Sequence, residues 1–218
     1  MKKFTTIAII LCVILFVVFT ASCATTNNSF YLVLVNKTHK LPDNWLKNIA
    51  FAEGKNSVDK DDIFLVEKET YEHFIALRDE LLVEEGIDIE LDSTYRSVEQ
   101  QVELWGYFRE QYGEDYCQQY LAVPGYSEHH TGLAIDVFII KDGEVIREND
   151  AMIAERETFA KIHEKLAMHG FILRYPEGKE GITGYAYEPW HFRYVGELVA
   201  LDIMEKGITL EEFLGQTS

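Results

Sequence analysis

The sequence predicts an α+β domain, a mostly antiparallel sheet with flanking helices. Three observations carry that expectation. Apolar residues alternate with charged ones over some stretches and recur at helical spacing over others. At least one pair of strands is joined by a two-residue hairpin signature, Asp142-Gly143. Strands separated by helices and by a hairpin favour α+β over a doubly wound sheet. With 218 residues and 47% hydrophobic composition, the chain is long enough for one well-buried core.

The elements follow in chain order. Tyr31-Leu32-Val33-Leu34-Val35 is an apolar, β-favouring run ending at Asn36 and reads as a strand. From Tyr71 to Leu82, Tyr71, Phe74, Ile75, Leu81 and Leu82 follow helical spacing, and Gly86 stops the segment. Ile87, Ile89 and Leu91 alternate with Asp88, Glu90 and Asp92, the pattern of a half-buried strand. Ser97 followed by Gln100 has capping-box form and opens a helix through Val102, Trp105 and Phe108 to Gly113. Leu133 to Ile140 reads as a strand, turning at Asp142-Gly143 into Val145-Ile146. Phe159, Ile162 and Leu166 mark a helix ending at Gly170, and a last amphipathic helix lies near Leu198–Met204. No internal repeat or long linker interrupts residues 30–218.

The N-terminus differs in kind. Lys2 and Lys3 precede an unbroken apolar run of 13 residues from Ile7 to Phe19. A bilayer span needs about 20, so the run suits the core of a signal peptide. Thr20-Ala21-Ser22-Cys23 resembles the bacterial lipoprotein cleavage box, although Thr20 stands where that box has Leu. The expectation is a signal peptide over residues 1–22, a lipidated Cys23 beginning a polar tether over 23–29, and an exported domain on the outer face of the membrane. An uncleaved anchor or ordinary secretion are the alternatives, and all three export the domain.

Charge narrows the partners. Lys and Arg number 20 against 37 Asp and Glu, a net −17. Without residues 1–22 the balance is 18 against 37, or −19. Such a surface offers a polyanion no counterion-release gain, which argues against nucleic acid. The three cysteines exclude a disulfide-stapled scaffold, and a lipidated Cys23 leaves Cys117 without an intramolecular partner.

Chemistry concentrates in Ser93-Thr94-Tyr95-Arg96-Ser97, in Ser127-Glu128-His129-His130-Thr131-Gly132-Leu133-Ala134-Ile135-Asp136, and in Glu188-Pro189-Trp190-His191. Two histidines and one carboxylate suffice for catalytic zinc, which keeps a further position for water. A glutamate that is not a ligand can take that water's proton, and Glu188 has the right type and proximity to His191. His129 and Asp136 lie an odd number of residues apart, so a straight strand would separate them, and Gly132 is the place for a turn. Glu188 and His191 have the same parity, and Pro189 disfavours helix at Glu188, so a kinked segment is expected there. Spacing alone leaves His129 and His130 as alternatives. Asp136 inside an apolar strand requires a compensating cation, donor or metal.

Ser127-x-His129-x-x-Gly132-x-Ala134-x-Asp136 with Glu188-x-x-His191 resembles the signature of the VanY-type D-alanyl-D-alanine carboxypeptidases. These zinc peptidases share a fold with VanX-type dipeptidases and the hedgehog signalling domain. Tyr95-Arg96-Ser97 with Gln101, and Leu34-Val35-Asn36-Lys37 with Leu41-Pro42, are similar to further elements of the group. The resemblance covers nearly all of residues 30–205. It implies one zinc ion held by His129, Asp136 and His191, with His129 chosen over His130, and a hedgehog/DD-peptidase-like fold for residues 30–218. It implies Glu188 as general base and later proton donor, Arg96 as stabiliser of the oxyanion, and Gln101 and Ser127 as contacts to the peptide end. His130 receives no role. The implied activity removes the C-terminal D-alanine from peptidoglycan stem peptides. An L,D-carboxypeptidase or an endopeptidase is the alternative within the family, and a non-catalytic zinc-stabilised binding module the alternative outside it. Intact Glu188 and Arg96 argue against the module, which needs neither.

Overall fold

The computed structural model describes residues 29–216. The expected signal peptide and the lipidation site at Cys23 lie outside the described residues. The chain divides into two units, Met1–Val33 and Leu34–Ser218. In the first, residues 29–31 are helical. The strand expected over Tyr31–Val35 does not form: helix ends at Tyr31, and residues 33–35 carry no regular element. Strand propensity reflects fit to a pleated, half-buried surface and does not by itself make a strand.

The second unit opens with a short antiparallel hairpin, β1 (Phe51–Gly54) and β2 (Phe64–Glu67), followed by helix α1 (Lys68–Glu84). Then come β3 (Asp88–Ser93), α2 (Val98–Tyr112), α3 (Glu114–Tyr120), β4 (Ala134–Lys141) and β5 (Glu144–Ile146). The remainder is α4 (Asn149–Ala154), α5 (Arg156–Leu166), β6 (Phe171–Leu173), α6 (Glu180–Thr183), β7 (His191–Tyr194), α7 (Glu197–Lys206) and α8 (Leu210–Phe213). The main sheet runs β3-β4-β7-β6, with β5 pairing β4, and every pairing is antiparallel. The α+β expectation holds.

Local signals produce these elements. Ser97 and Gln100 form the reciprocal capping box, which satisfies two backbone donors at the start of α2. Asp142 and Gly143 both have positive φ, 54° and 83°, which matches the twist of a two-residue hairpin between β4 and β5. Helix α1 stops before Gly86, as the spacing predicts.

Register divides the sheet into two faces. Ile89 pairs Ile139, Leu91 pairs Val137 and Ile135 pairs Phe192, so these side chains share one face, and all are buried. Helices cover that face: His73 of α1 contacts the Tyr194 ring and His163 of α5 the Phe192 ring. Phe74, Leu77, Leu81, Phe159 and Ile162 complete the core. Each such side chain contributes about 1.5–3 kcal/mol on burial. The opposite face holds Asp136, His191 and Arg193, none of them core hydrophobes.

One expected face differs. In α2, Val102 is exposed, Trp105 and Phe108 are half-buried, and the buried residue is Gln101. This helix lies along the rim of a cleft, not over the core, so its apolar stripe does not mark its inner side.

Candidate active site

Asp136 and His191 are directly opposite one another in the ladder between β4 and β7. Side chains of such a pair leave the sheet on the same face about 5 Å apart, close enough to share one cation. His191 Nδ1 lies 2.7 Å from Asp136 Oδ1. His129 enters from the short 3-10 helix Glu128–Thr131, which ends at Gly132 with φ 74°. That left-handed residue supplies the turn the odd spacing demands, and it delivers His129 Nε2 to 3.2 Å from Asp136 Oδ2. Ligand atoms from His129, Asp136 and His191 all lie within 4.8 Å of one another.

The His129 imidazole is held in one tautomer, and His191 is oriented by flanking carboxylates. His129 Nδ1 is 2.7 Å from the Thr94 carbonyl, an acceptor only, so Nδ1 donates and Nε2 presents its lone pair to the site. His191 turns Nδ1 toward Asp136 and Nε2 toward Glu128 Oε2 at 3.6 Å, and its ring stacks on Tyr175. His191 Nε2 and Glu128 Oε2 are both buried without a hydrogen-bond partner. A proton on Nε2 aimed at this carboxylate leaves Nδ1 free to bind a cation. The donor set and its orientation thus fit zinc, for which neutral imidazole and carboxylate are ordinary ligands.

His130 has a different task. Its Nε2 accepts the Gly125 N–H at 3.0 Å and its Nδ1 donates to the Arg96 carbonyl at 2.6 Å. The Arg96 N–H donates to the His129 carbonyl at 3.2 Å. His130 therefore staples two loops and points away from the cluster, which separates it from His129 as spacing could not.

A β-bulge aims the arginine. The pairing of β3 with β4 shifts between Leu91 and Ser93, bringing Ser93 opposite Asp136. Arg96 Nη2 donates to Ser93 Oγ and Nη1 to Gln101 Oε1, each at 2.7 Å. Gln101 Nε2 donates in turn to the Ala122 carbonyl at 2.7 Å. Both ends of the Gln101 amide are thereby committed to the protein, and the residue holds the guanidinium in place. Burial lowers the Arg96 pKa, while the charges of Asp136 and Glu188, which line the same cleft, act to raise it.

Glu188 sits at the start of the turn that enters β7. The His191 N–H donates to the Glu188 carbonyl at 3.3 Å, closing a turn around Pro189 and Trp190. The kink expected here brings Glu188 Oε2 to 4.0 Å from His191 Nδ1. Burial pushes the Glu188 carboxyl up to about 8, helped by Asp136 and opposed by His191 and Arg96. Burial also favours the neutral form of His191, but Asp136 outweighs it and raises the imidazole to about 9. Burial would raise Asp136 too, yet His129 and His191 hold it well below the usual carboxylate range. Ser127 precedes the 3-10 helix without a side-chain capping bond and lines the same cleft as Arg96, Gln101, Glu188, Tyr185 and Trp190.

Sequence reasoning missed the layer behind the ligands. Glu128 Oε1 accepts from Arg174 Nε and Arg193 Nη1, each at 2.8 Å, and Arg174 also grips Glu211 through two bonds of 2.9 and 2.6 Å. Glu211 accepts from Asn36 Nδ2 at 3.0 Å. All these side chains are buried. The available signal was Arg193, two residues beyond His191 in a short apolar strand and so on the same face.

Comparison with known proteins agrees with this geometry. The family model described as VanY, D-alanyl-D-alanine carboxypeptidase, matches residues 64–197. A bifunctional D-Ala-D-Ala dipeptidase and D-Ala-D-Ala carboxypeptidase, VanXYC of Enterococcus gallinarum, is 44% identical over 128 residues, which is 58% of this chain and 66% of that protein. This chain thus spans less than two thirds of that relative. The crystal structure of a vancomycin-resistance D,D-pentapeptidase VanY in complex with Zn(II) matches with TM-score 0.70 and 29% identity, covering 85% of this chain and 99% of the other. VanYB in complex with D-alanine-D-alanine matches with TM-score 0.71 and 28% identity, covering 86% and 99%. The zinc-peptidase fold expected from sequence is the fold observed, and this chain belongs to the VanY family of D-alanyl-D-alanine carboxypeptidases.

Proposed function

We propose that the chain is a zinc-dependent D-alanyl-D-alanine carboxypeptidase that hydrolyses the C-terminal D-alanine from peptidoglycan stem peptides. The observation that carries this reading is a single cleft holding a two-histidine, one-carboxylate ligand set, an uncommitted buried glutamate and an immobilised arginine. Family membership and the relatives' substrates support it.

His129 Nε2, Asp136 and His191 Nδ1 would hold the zinc. Bound there, zinc lowers the pKa of a water, polarises the scissile carbonyl, and by its charge favours the ionised form of Glu188. Glu188 takes one proton from the attacking water as the new carbon–oxygen bond forms. It returns that proton to the departing amine nitrogen as the carbon–nitrogen bond breaks. Its buried setting, which pushes the carboxyl up to about 8 against the opposing His191 and Arg96, keeps it basic enough for both transfers. Arg96 faces the negative charge that grows on the carbonyl oxygen, and Ser93 and Gln101 keep its guanidinium from having to reorganise. Ser127 supplies a hydroxyl to the peptide end, while Gln101 acts through Arg96.

An exported location, with Cys23 as membrane anchor, belongs to the same proposal and rests on the N-terminal sequence alone. The substrate lies outside the membrane, so the two readings are consistent. No nucleic acid or obligate protein partner is invoked.

Mass spectrometry of muropeptides before and after treatment with the purified domain tests the activity. Loss of one terminal D-alanine from pentapeptide is the expected result. Shortening of tetrapeptides instead would make the enzyme an L,D-carboxypeptidase, and opening of cross-links an endopeptidase. Zinc binding with no hydrolysis would mark a binding module. Glu188→Ala should retain zinc and lose turnover; wild-type hydrolysis of acyl-D-Ala-D-Ala by that variant would refute the assigned mechanism.

A further inference from the structure

A stripe of aromatic rings leaves the cleft along α2 and α3 and is unused by the mechanism. Phe108, Tyr112, Tyr116 and Tyr120 recur every four residues, across the break at Gly113. Phe108 and Tyr112 stack at 5.6 Å between centroids and Tyr112 and Tyr116 at 4.8 Å, while Tyr116 and Tyr120 meet tilted at 4.8 Å. Phe108 and Tyr116 lie parallel within 1° at 5.9 Å. Phe108, Tyr116 and Tyr120 line the same cleft as Arg96 and Glu188.

Helix packing alone does not account for this ladder. Rings that only sealed α2 against α3 would be shielded from solvent, as Cys117 between them is. Phe108, Tyr116 and Tyr120 are instead half-buried, and Tyr112 beside them is 60% exposed. The ring cluster is therefore continuous with the cleft through Phe108, Tyr116 and Tyr120 and open to solvent at Tyr112.

We propose that Phe108, Tyr112, Tyr116 and Tyr120 form a specificity platform for the extended peptide upstream of the scissile bond. This rests on the carboxypeptidase reading. An enzyme that removes a terminal residue must let everything N-terminal to it run outward from the ligand cluster. The ladder is a wall of that route. From Tyr120 through Tyr116 to Phe108 the rings span at most ~11 Å, the reach of roughly three extended residues, and flat ring faces accept aliphatic side-chain stems and cations without demanding one sequence. A bound glycan is the competing occupant, but it lies beyond the peptide and would meet only the outer rings.

The test compares hydrolysis of acyl-D-Ala-D-Ala with that of a free stem pentapeptide. Wild type should favour the pentapeptide in kcat/KM. In Tyr112→Ala the ratio of long to short substrate should fall by about two- to twelve-fold, the worth of one aromatic contact, and Tyr112→Phe should restore it. Tyr112 is exposed, so its truncation leaves the core untouched. A parallel fall for Tyr116→Ala extends the platform inward. An unchanged ratio in both variants overturns the proposal, as does a loss seen only on glycan-bearing muropeptides. If wild type cleaves neither substrate, the carboxypeptidase reading fails, and calorimetric binding of the pentapeptide to wild type and Tyr112→Ala then decides the platform: equal affinity refutes it.

Discussion

Replacing Glu128 by Gln perturbs the one buried anion that links the structural ion cluster to the ligand set. Its carboxylate is fully buried, accepts from Arg174 and Arg193 at 2.8 Å, and faces His191 Nε2 at 3.6 Å. Breaking a buried ion pair costs about 3–5 kcal/mol, because the surviving charge is left uncompensated. Here the lower end applies. Glu211 still grips Arg174, and the amide oxygen of Gln can keep one acceptor bond. About 3 kcal/mol is a fifth or more of a typical 5–15 kcal/mol stability, and corresponds to roughly 6–12 °C in Tm for a domain of this size. Zinc affinity should fall as well, by about 10–100-fold, because the group that orients His191 loses its charge. Denaturant unfolding of the zinc-free proteins at pH 7, with zinc affinity from chelator competition, measures both. The pH dependence has a definite sign. Despite burial, Arg174, Arg193 and His191 hold the Glu128 carboxyl far below its ordinary value in the folded state. Its contribution is therefore complete above the unfolded-state pKa of about 4.3 and is lost as pH falls below it. The stability gap between wild type and Glu128→Gln should narrow in acid. A loss under ~1 kcal/mol at pH 7 together with unaltered zinc affinity would refute the assigned coupling.

Three further outcomes follow from the same geometry. Gly132→Ala places a Cβ 2.8 Å from Phe51 Cε1 at a residue with φ 74°; it should cost about 2 kcal/mol and weaken zinc binding by moving His129, and a Tm within error of wild type would contradict this. Stripping the metal with a chelator should lower Tm reversibly by about 10 °C, since zinc at a thousand times its Kd adds about 4 kcal/mol; identical melting with and without zinc would mean that no zinc is bound at the cluster. Arg96→Lys cannot satisfy Ser93 and Gln101 at once as the two-pronged guanidinium does, so kcat should fall about 10²–10³-fold, and a fall of under about three-fold would remove Arg96 from the oxyanion role.

What was legible in the sequence is what local chemistry decides. The capping box at Ser97 and Gln100, the Asp142-Gly143 hairpin and the stop at Gly86 each need only neighbouring residues, and each forms as read. Where a tertiary partner decides, the reading fails or is silent. Tyr31–Val35 has strand propensity, yet its first residue ends a short helix and the rest forms no strand. The hairpin of β1 and β2 closes across a polar loop over 55–63 that carries no tight-turn signature. Val102 shares a helical stripe with Trp105 but faces solvent, because α2 borders a cleft in place of the core.

The site divides along the same line. Residue types and parity point to Asp136, Glu188, His191 and one of His129 and His130, and both irregularities that parity demanded occur, at Gly132 and around Pro189. Two facts could not be reached that way. The direct pairing of Asp136 with His191 depends on the register of β4 with β7, which join residues far apart in sequence. The orientation of His191 depends on Glu128, whose own charge is set by Arg174, just past β6, and by Arg193 of β7. A carboxylate next to a ligand histidine reads in sequence as one more surface acid among 37. Only the buried guanidiniums on the same sheet face show why it must be charged. With that charge fixed, His191 Nε2 faces a buried anion while Nδ1 faces Asp136 and the cleft, so the ion cluster orients that ring within the proposed zinc site.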